Sequence, residues 1–335
     1  MNQIAPRRSD GTIQKKRLKQ PWPKDRLFKI LSIDGGGIRG IFPAAYLAEI
    51  ERRFLGGAPI TDHFDMVAGT STGGIIALAL AKGMTAQGAL DIYLKKGDII
   101  FPTLKGAERL IRSVKSVGQP KYDQDVLRAA LEEEFGDELF GAAKISCVIP
   151  CFEGLHGEPF IYKTPHHPDY KWDQHKSMVD IALHTSAAPT IFPAVQNDGY
   201  IMVDGGLFAN NPIMNALVDA IACFDVPIEN IRILSIGTGE ETFSLSENAQ
   251  NGGLKDWAIL LPFLVAFRAQ SKNALGLAFL LAGKDNVVRI DIPESTKQIA
   301  MDDVKRAIEE LPLVARALVE GSGHYVNSTF LSNNA

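Results

Sequence analysis

The sequence predicts an α/β protein in three layers, α/β/α, with a largely parallel central sheet covered by helices on both faces. Three features of the 335 residues carry that expectation. Short apolar runs of strand length recur along the chain, stretches with helical spacing separate them, and after residue 27 the alternation pauses for no linker. Phe28–Ile33 reads FKILSI, an apolar run suited to a buried strand. Ile41–Phe54 has helical spacing, with Ala45, Leu47, Ile50 and Phe54 among its apolar positions. Residues 64–68 read as the next strand and 72–81 as the helix behind it. Later strands are expected at 145–150, 160–162, 200–203, Ile231–Ile236 and Val287–Ile290. Helices are expected at 126–135, 178–187, Ile213–Cys223 and 301–319. Residues 27–335 are therefore expected to form one domain.

Residues 1–26 differ from the rest. Arg7, Arg8, Lys15, Lys16, Arg17, Lys19, Lys24 and Arg26 stand against Asp10 and Asp25, and the segment ends in Pro21-Trp22-Pro23. Without apolar periodicity it reads as a basic arm, a solvated tail or one that meets anionic lipid or a partner subunit.

Composition narrows the function classes. With 46% hydrophobic and 22% charged residues the chain is neither disordered nor wholly membrane-embedded. Lys and Arg number 35 against 39 Asp and Glu, a net charge of −4 that argues against a DNA or RNA binder. Cys147, Cys151 and Cys223 are too few for a disulfide framework. The N-terminus has no secretory pattern, and the apolar stretch 257–267 contains Pro262 and falls short of the ~20 residues that span a bilayer. A cytoplasmic protein is expected, with peripheral contact at the inner membrane face when active.

Three glycine-rich turns carry the chemistry. Asp34-Gly35-Gly36-Gly37-Ile38-Arg39-Gly40 lies between a strand and a helix, where bare backbone N–H groups can hold a negative oxygen. Gly35, Gly37 and Gly40 also fit a dinucleotide fingerprint. Asp34 would repel a pyrophosphate there, and the next strand comes late for the ribose-binding acid. Gly69-Thr70-Ser71-Thr72-Gly73-Gly74 is Gly-x-Ser-x-Gly in strand–turn–helix context, the nucleophile elbow, with Gly69 and Gly73 small enough for its tight turn. A phosphate loop is excluded because Ile75 and Ile76 replace its Lys and Ser/Thr. Asp204-Gly205-Gly206 follows the strand at 200–203, where a sheet presents catalytic groups, and Asn210 and Asn211 can bond the loop's backbone.

In combination and order, these three motifs resemble the patatin-like phospholipase family, lipid acyl hydrolases with a Ser–Asp dyad on an α/β sheet. The resemblance implies Ser71 as nucleophile, Asp204 as its partner and the amides of Gly35, Gly36 and Gly37 as oxyanion hole. Arg39 is expected to order the glycine loop, and no cofactor or metal is implied. The expected reaction releases fatty acids from membrane phospholipid. Pro21-Trp22-Pro23 and Arg39-Gly40-Ile41-Phe42-Pro43 are similar to a bacterial subgroup of the family, antiphage effectors switched on by a cyclic dinucleotide such as cGAMP, in a setting where homo-oligomers are possible.

Alternatives remain at this level. His324 could complete a Ser71…Asp204…His324 triad in α/β-hydrolase order, or stand in a tail loop. A constitutive lipid-turnover esterase and a nucleotide-binding module without turnover are the other readings. His166, His167, Asp169, Asp173 and His175 match no zinc spacing and read as a wet loop. Cys147 and Cys151 read as small hydrophobes, and His184 as a packed or partner-bonded histidine. The apolar stretches 257–267 and 274–282 read equally as core helices or as an interfacial flap.

Overall fold

The computed structural model describes residues 5–7, 17–102, 120–239, 244–253, 257 and 260–332. Its strands are β1 (Phe28–Ile33), β2 (Met66–Gly69), β3 (Ser146–Glu153), β4 (Glu158–Lys163), β5 (Val195–Asn197), β6 (Tyr200–Asp204), β7 (Ile231–Ile236) and β8 (Val287–Ile290). They join in one sheet in the order β5-β6-β3-β2-β1-β7-β8, with β4 paired to β3. Pairings within β3-β2-β1-β7-β8 are parallel, while β4, β5 and β6 add antiparallel edges.

The α-helices among the described residues are α1 (Ile41–Phe54), α2 (Thr72–Lys82), α3 (Ala86–Ile100), α4 (Gln124–Phe135), α5 (Met178–Ser186), α6 (Gly206–Ala209), α7 (Ile213–Cys223), α8 (Glu247–Asn251), α9 (Leu260–Ala282) and α10 (Val304–Val326). The central strand shows why both faces are covered. Leu31 and Ile33 enter the core built with α1, α2, α3, α5 and α10, whereas Phe28 and Ile30 enter a second core with α7 and α9. Three layers follow.

Two pairings decide where the chemistry sits. β2 runs parallel to β3 and uses its residues Ser146 to Val148. β6 runs antiparallel and uses Cys151 to Glu153. Because β4 pairs with β3 from Val148 through Glu153, it occupies the opposite edge, so β2 and β6 share one edge of β3. They approach from opposite directions and stop head to head, with Pro150 at the seam. Ser71 lies two residues past the end of β2, and Asp204 is the last residue of β6.

The structure revises several expectations. α3 was not expected; its run of buried residues starts behind the Thr85 cap, whose side chain accepts the Gly88 amide at 3.2 Å. β5 is a three-residue edge strand, too short for a periodic signal. α10 continues through Gly321 and Gly323, so His324 is helical and lies edge-on to Phe54 rather than in a tail loop. The second apolar stretch and the end of the first form one helix, α9; residues 258–259 lie outside the described residues. Among the described residues no helix is long and apolar enough to cross a membrane.

The described part of the arm packs on the body. Gln20 pairs with Phe224, Trp22 wedges between Phe28 and Phe224, and Arg26 lies over the Trp22 ring. Residues 8–16 of the arm lie outside the described residues. The expected wet loop is also revised. His166 Nε2 meets Asp219 at 2.6 Å, and Lys163 and Tyr170 meet the other oxygen of Asp219 at 2.5 Å. His166, Asp219 and Cys223 form the candidate metal group among the described residues, but the Lys163 ammonium already neutralises its carboxylate.

Candidate active site

Ser71 sits in the turn between β2 and α2 with φ 55 and ψ −123, a conformation that an L-residue adopts only under constraint. The surroundings impose it. The Ser71 amide donates to Thr185 Oγ1 at 3.0 Å, and that hydroxyl donates to the Pro150 carbonyl at the seam at 2.7 Å. Thr70 Oγ1 donates to the Ala209 carbonyl at 2.6 Å, tying the turn to the loop after β6. Gly73 must be glycine because a Cβ there would strike the Ile33 carbonyl. Ser71 itself is partly exposed, at the start of α2.

Asp204 is buried, and its amide donates to the Ala187 carbonyl at 3.0 Å. Its Oδ1 accepts the Gly206 amide at 2.7 Å, and the nearby Ser71 hydroxyl favours its ionised form. Burial pushes the carboxyl up to about 6, against the opposing pull of the Ser71 hydroxyl and the Gly206 amide. Gly205 crosses the seam against the Pro150 carbonyl, where a side chain would collide.

The Asp34–Gly40 turn follows β1 on the other side of Ser71. Its Gly35 amide donates to the Asn210 carbonyl at 3.0 Å, and its Gly35 carbonyl accepts Thr238 Oγ1 at 2.7 Å and Asn210 Nδ2 at 3.4 Å. Three equivalent amides were expected, but the Gly35 amide is committed elsewhere. The amides of Gly36 and Gly37 donate to no protein group among the described residues. Arg39 Nε donates to the Gly36 carbonyl at 3.3 Å. The Asp34 carboxylate is gripped by both terminal nitrogens of Arg289, at 3.1 and 2.7 Å.

A buried carboxyl near neutrality beside a constrained serine, under unpaired amides, has the parts needed for acyl transfer. The sequence profile of the family described as patatin-like phospholipase matches residues 31–217. The chain belongs to that family. It is therefore a member of an enzyme family of lipid acyl hydrolases. This patatin-like protein is similar to the cGAMP-activated phospholipase of Vibrio cholerae, 35% identical over 82% of this chain and 85% of the relative. A protein of the same description from Escherichia coli is 39% identical over 65% of this chain and 64% of its own length. Patatin-like protein 2 of Arabidopsis thaliana is 33% identical over 89% of this chain and 83% of the relative.

Sequence reasoning missed several residues around the patatin motifs. Thr185, Thr238 and Arg289 lie on α5, just after β7 and on β8, remote in sequence and in no recognisable pattern. Gln270 on α9 donates its Nε2 to the Gly206 carbonyl at 3.1 Å, and Phe267 lies beside Gly206, so the apolar helix abuts the Asp204 loop. Gln270 Oε1 is buried with no partner among the described residues. His324 is not among the partners of Asp204, and His184 is bonded to the Tyr162 hydroxyl at 2.7 Å, burial pushing it down to about 4.

Proposed function

We propose that this chain hydrolyses acyl esters of membrane phospholipids through a Ser71–Asp204 dyad, and that a cyclic dinucleotide of the cGAMP type switches it on. The head-to-head ends of β2 and β6 on one edge of β3 carry the first half of this reading, since they bring the serine to the buried carboxylate. The names of the two bacterial relatives support the second half. A role as an antiviral defence effector follows from the same likeness.

Ser71 Oγ attacks the ester carbonyl while Asp204 takes its proton. The Gly36 and Gly37 amides receive the oxyanion, where losing one such donor costs roughly 3–4 kcal/mol. Collapse of the tetrahedral adduct expels the lysophospholipid alkoxide, which takes the proton from Asp204. Water then attacks the acyl-enzyme carbonyl and gives a proton to Asp204. Fatty acid leaves as that proton returns to Ser71 Oγ. α9 supports contact with the lipid surface, since Leu277, Leu280 and Leu281 are exposed beside Lys272 and Lys284.

Fatty-acid release from phospholipid vesicles by purified protein tests the proposal across cGAMP, cyclic di-GMP and cyclic di-AMP. Release is expected with one of them and at most a trace without nucleotide. Ser71→Ala and Asp204→Ala are each expected to lower it by about 10³-fold or more. Unabated release from Asp204→Ala would sink the dyad, and full release without nucleotide would sink the switch.

A further inference from the structure

A cavity lies across the Asp34–Gly40 turn from the proposed nucleophile. It has a volume of about 200 Å3 and is lined by Arg39, Thr238, Gly239, residues 292–299 and Leu311. Neither Ser71 nor Asp204 lines it. The turn between cavity and serine is thin. A Cβ on Gly35 would come within 3.2 Å of the Ser71 Cβ, while one on the next residue, Gly36, would strike the Thr238 side chain.

Three hydrogen bonds brace this partition, two of them from outside it. Thr238 Oγ1 donates to the Gly35 carbonyl at 2.7 Å, Arg39 Nε to the Gly36 carbonyl at 3.3 Å, and the Ile38 amide to the Met301 carbonyl at 2.8 Å. Thr238 and Arg39 therefore each touch both the cavity and the turn whose Gly36 and Gly37 amides face no protein acceptor among the described residues. A molecule held against them would bear directly on where those amides point.

We infer that this cavity reads the activating nucleotide, taking one nucleoside half of a cyclic dinucleotide and leaving its phosphates and second half at the mouth. The inference rests on the switch proposed above and gives it a location. The lining fits that class of ligand. Ile292, Ile299 and Leu311 offer apolar surface to a base, while Thr238 and Thr296 offer hydroxyls. Lys297 is exposed at the mouth, where an ammonium can meet phosphate. An acyl chain fits less well, because it would desolvate these polar groups without pairing them. The cavity lies below the ~300 Å3 at which pockets begin to enclose a drug-sized ligand, so one half of the dinucleotide enters. The consequence is reciprocal coupling: a nucleotide that prefers the oxyanion-receiving form of the turn is itself bound more tightly by that form.

Two measurements on the full chain test it. Hydrogen exchange of the wild type with and without cGAMP should slow at 292–299 and at 35–39. Titration of cGAMP into Thr296→Trp, which fills the cavity, and into Lys297→Glu, which reverses the charge at its mouth, should give dissociation constants at least tenfold weaker than the wild type. Melting curves without nucleotide identify any variant that has not folded. Protection confined to other segments, or wild-type affinity in both folded variants, would overturn the cavity while leaving the switch intact. Failure of the wild type to bind any of the three cyclic dinucleotides would overturn the switch and this inference together.

Discussion

Asp204 is held where its ionised form is least welcome. Its value of about 6 lies above the ordinary 3.8, and burial is the cause. As the proposed base it must be ionised, so the hydrolysis rate of a soluble ester should climb with pH through about 6 and then level off. The stability effect has the opposite sign. A folded-state value above the unfolded one contributes fully below about pH 4 and is lost as pH rises through about 6. By pH 8 the ionised carboxylate costs on the order of 3 kcal/mol. Asp204→Asn should therefore resist urea better than the wild type by about 1–3 kcal/mol at pH 8, show no gain at pH 3.5, and lose hydrolysis. Equal urea midpoints at pH 8 would show that the site bears no such cost. Ser71 follows the same logic through its backbone, since φ 55 is a conformation a serine adopts only when neighbours insist.

At the scale of elements, the active site is a seam. The three glycine turns were legible because tight turns need glycine, and their residue types report the chemistry. Their meeting was legible only through the family resemblance, because it depends on two strands sharing one edge of β3. Nor was the commitment of the Gly35 amide to Asn210, a contact between residues 175 positions apart in the chain. α9 joins the seam through Gln270, whose Nε2 holds the Gly206 carbonyl while the Gly206 amide holds Asp204. In the proposed dyad Gln270 would be a positioning residue. Gln270→Leu should lower kcat roughly tenfold with little change in KM on a soluble ester, and should shift the acid limb of the pH profile, which a loss of packing alone would not move. Gln270→Glu, able to donate only when protonated, should lose less activity relative to the wild type at the same pH as pH falls. A loss confined to KM would count against this role.

At the scale of the whole molecule, alternation sufficed for three layers and for one half of the sheet. The boundaries of β1, β7, β8, α1 and α7 were read correctly because each is a strongly apolar or strongly periodic segment. The antiparallel edge of β4, β5 and β6 was not read, since strand direction leaves no mark on such short runs. The basic arm looked solvated because its few apolar residues, Ile4, Ile13, Leu18 and Trp22 among them, follow no periodicity. Yet Trp22 lies 4.7 Å from Phe28 and 5.5 Å from Phe224 between ring centroids, closing the core under α7. Trp22→Ala should cost about 1–3 kcal/mol in urea unfolding, less than a fully buried tryptophan because the ring is only partly covered. Fluorophosphonate labelling of Ser71 should persist in that variant below its melting temperature. A change under a few tenths of a kcal/mol would mean that the arm is only laid against the surface.

The exposed turn at Gly136 offers a natural place to divide the polypeptide, since a side chain there would meet nothing. One piece would keep the alcohol and its bare amides, and the other would keep β3 and the acid. Neither piece alone holds a working pair, and only side-by-side alignment along β3 restores one. Ester cleavage by such complementing fragments would then be an optical readout of strand annealing, with turnover counting how many halves had found each other.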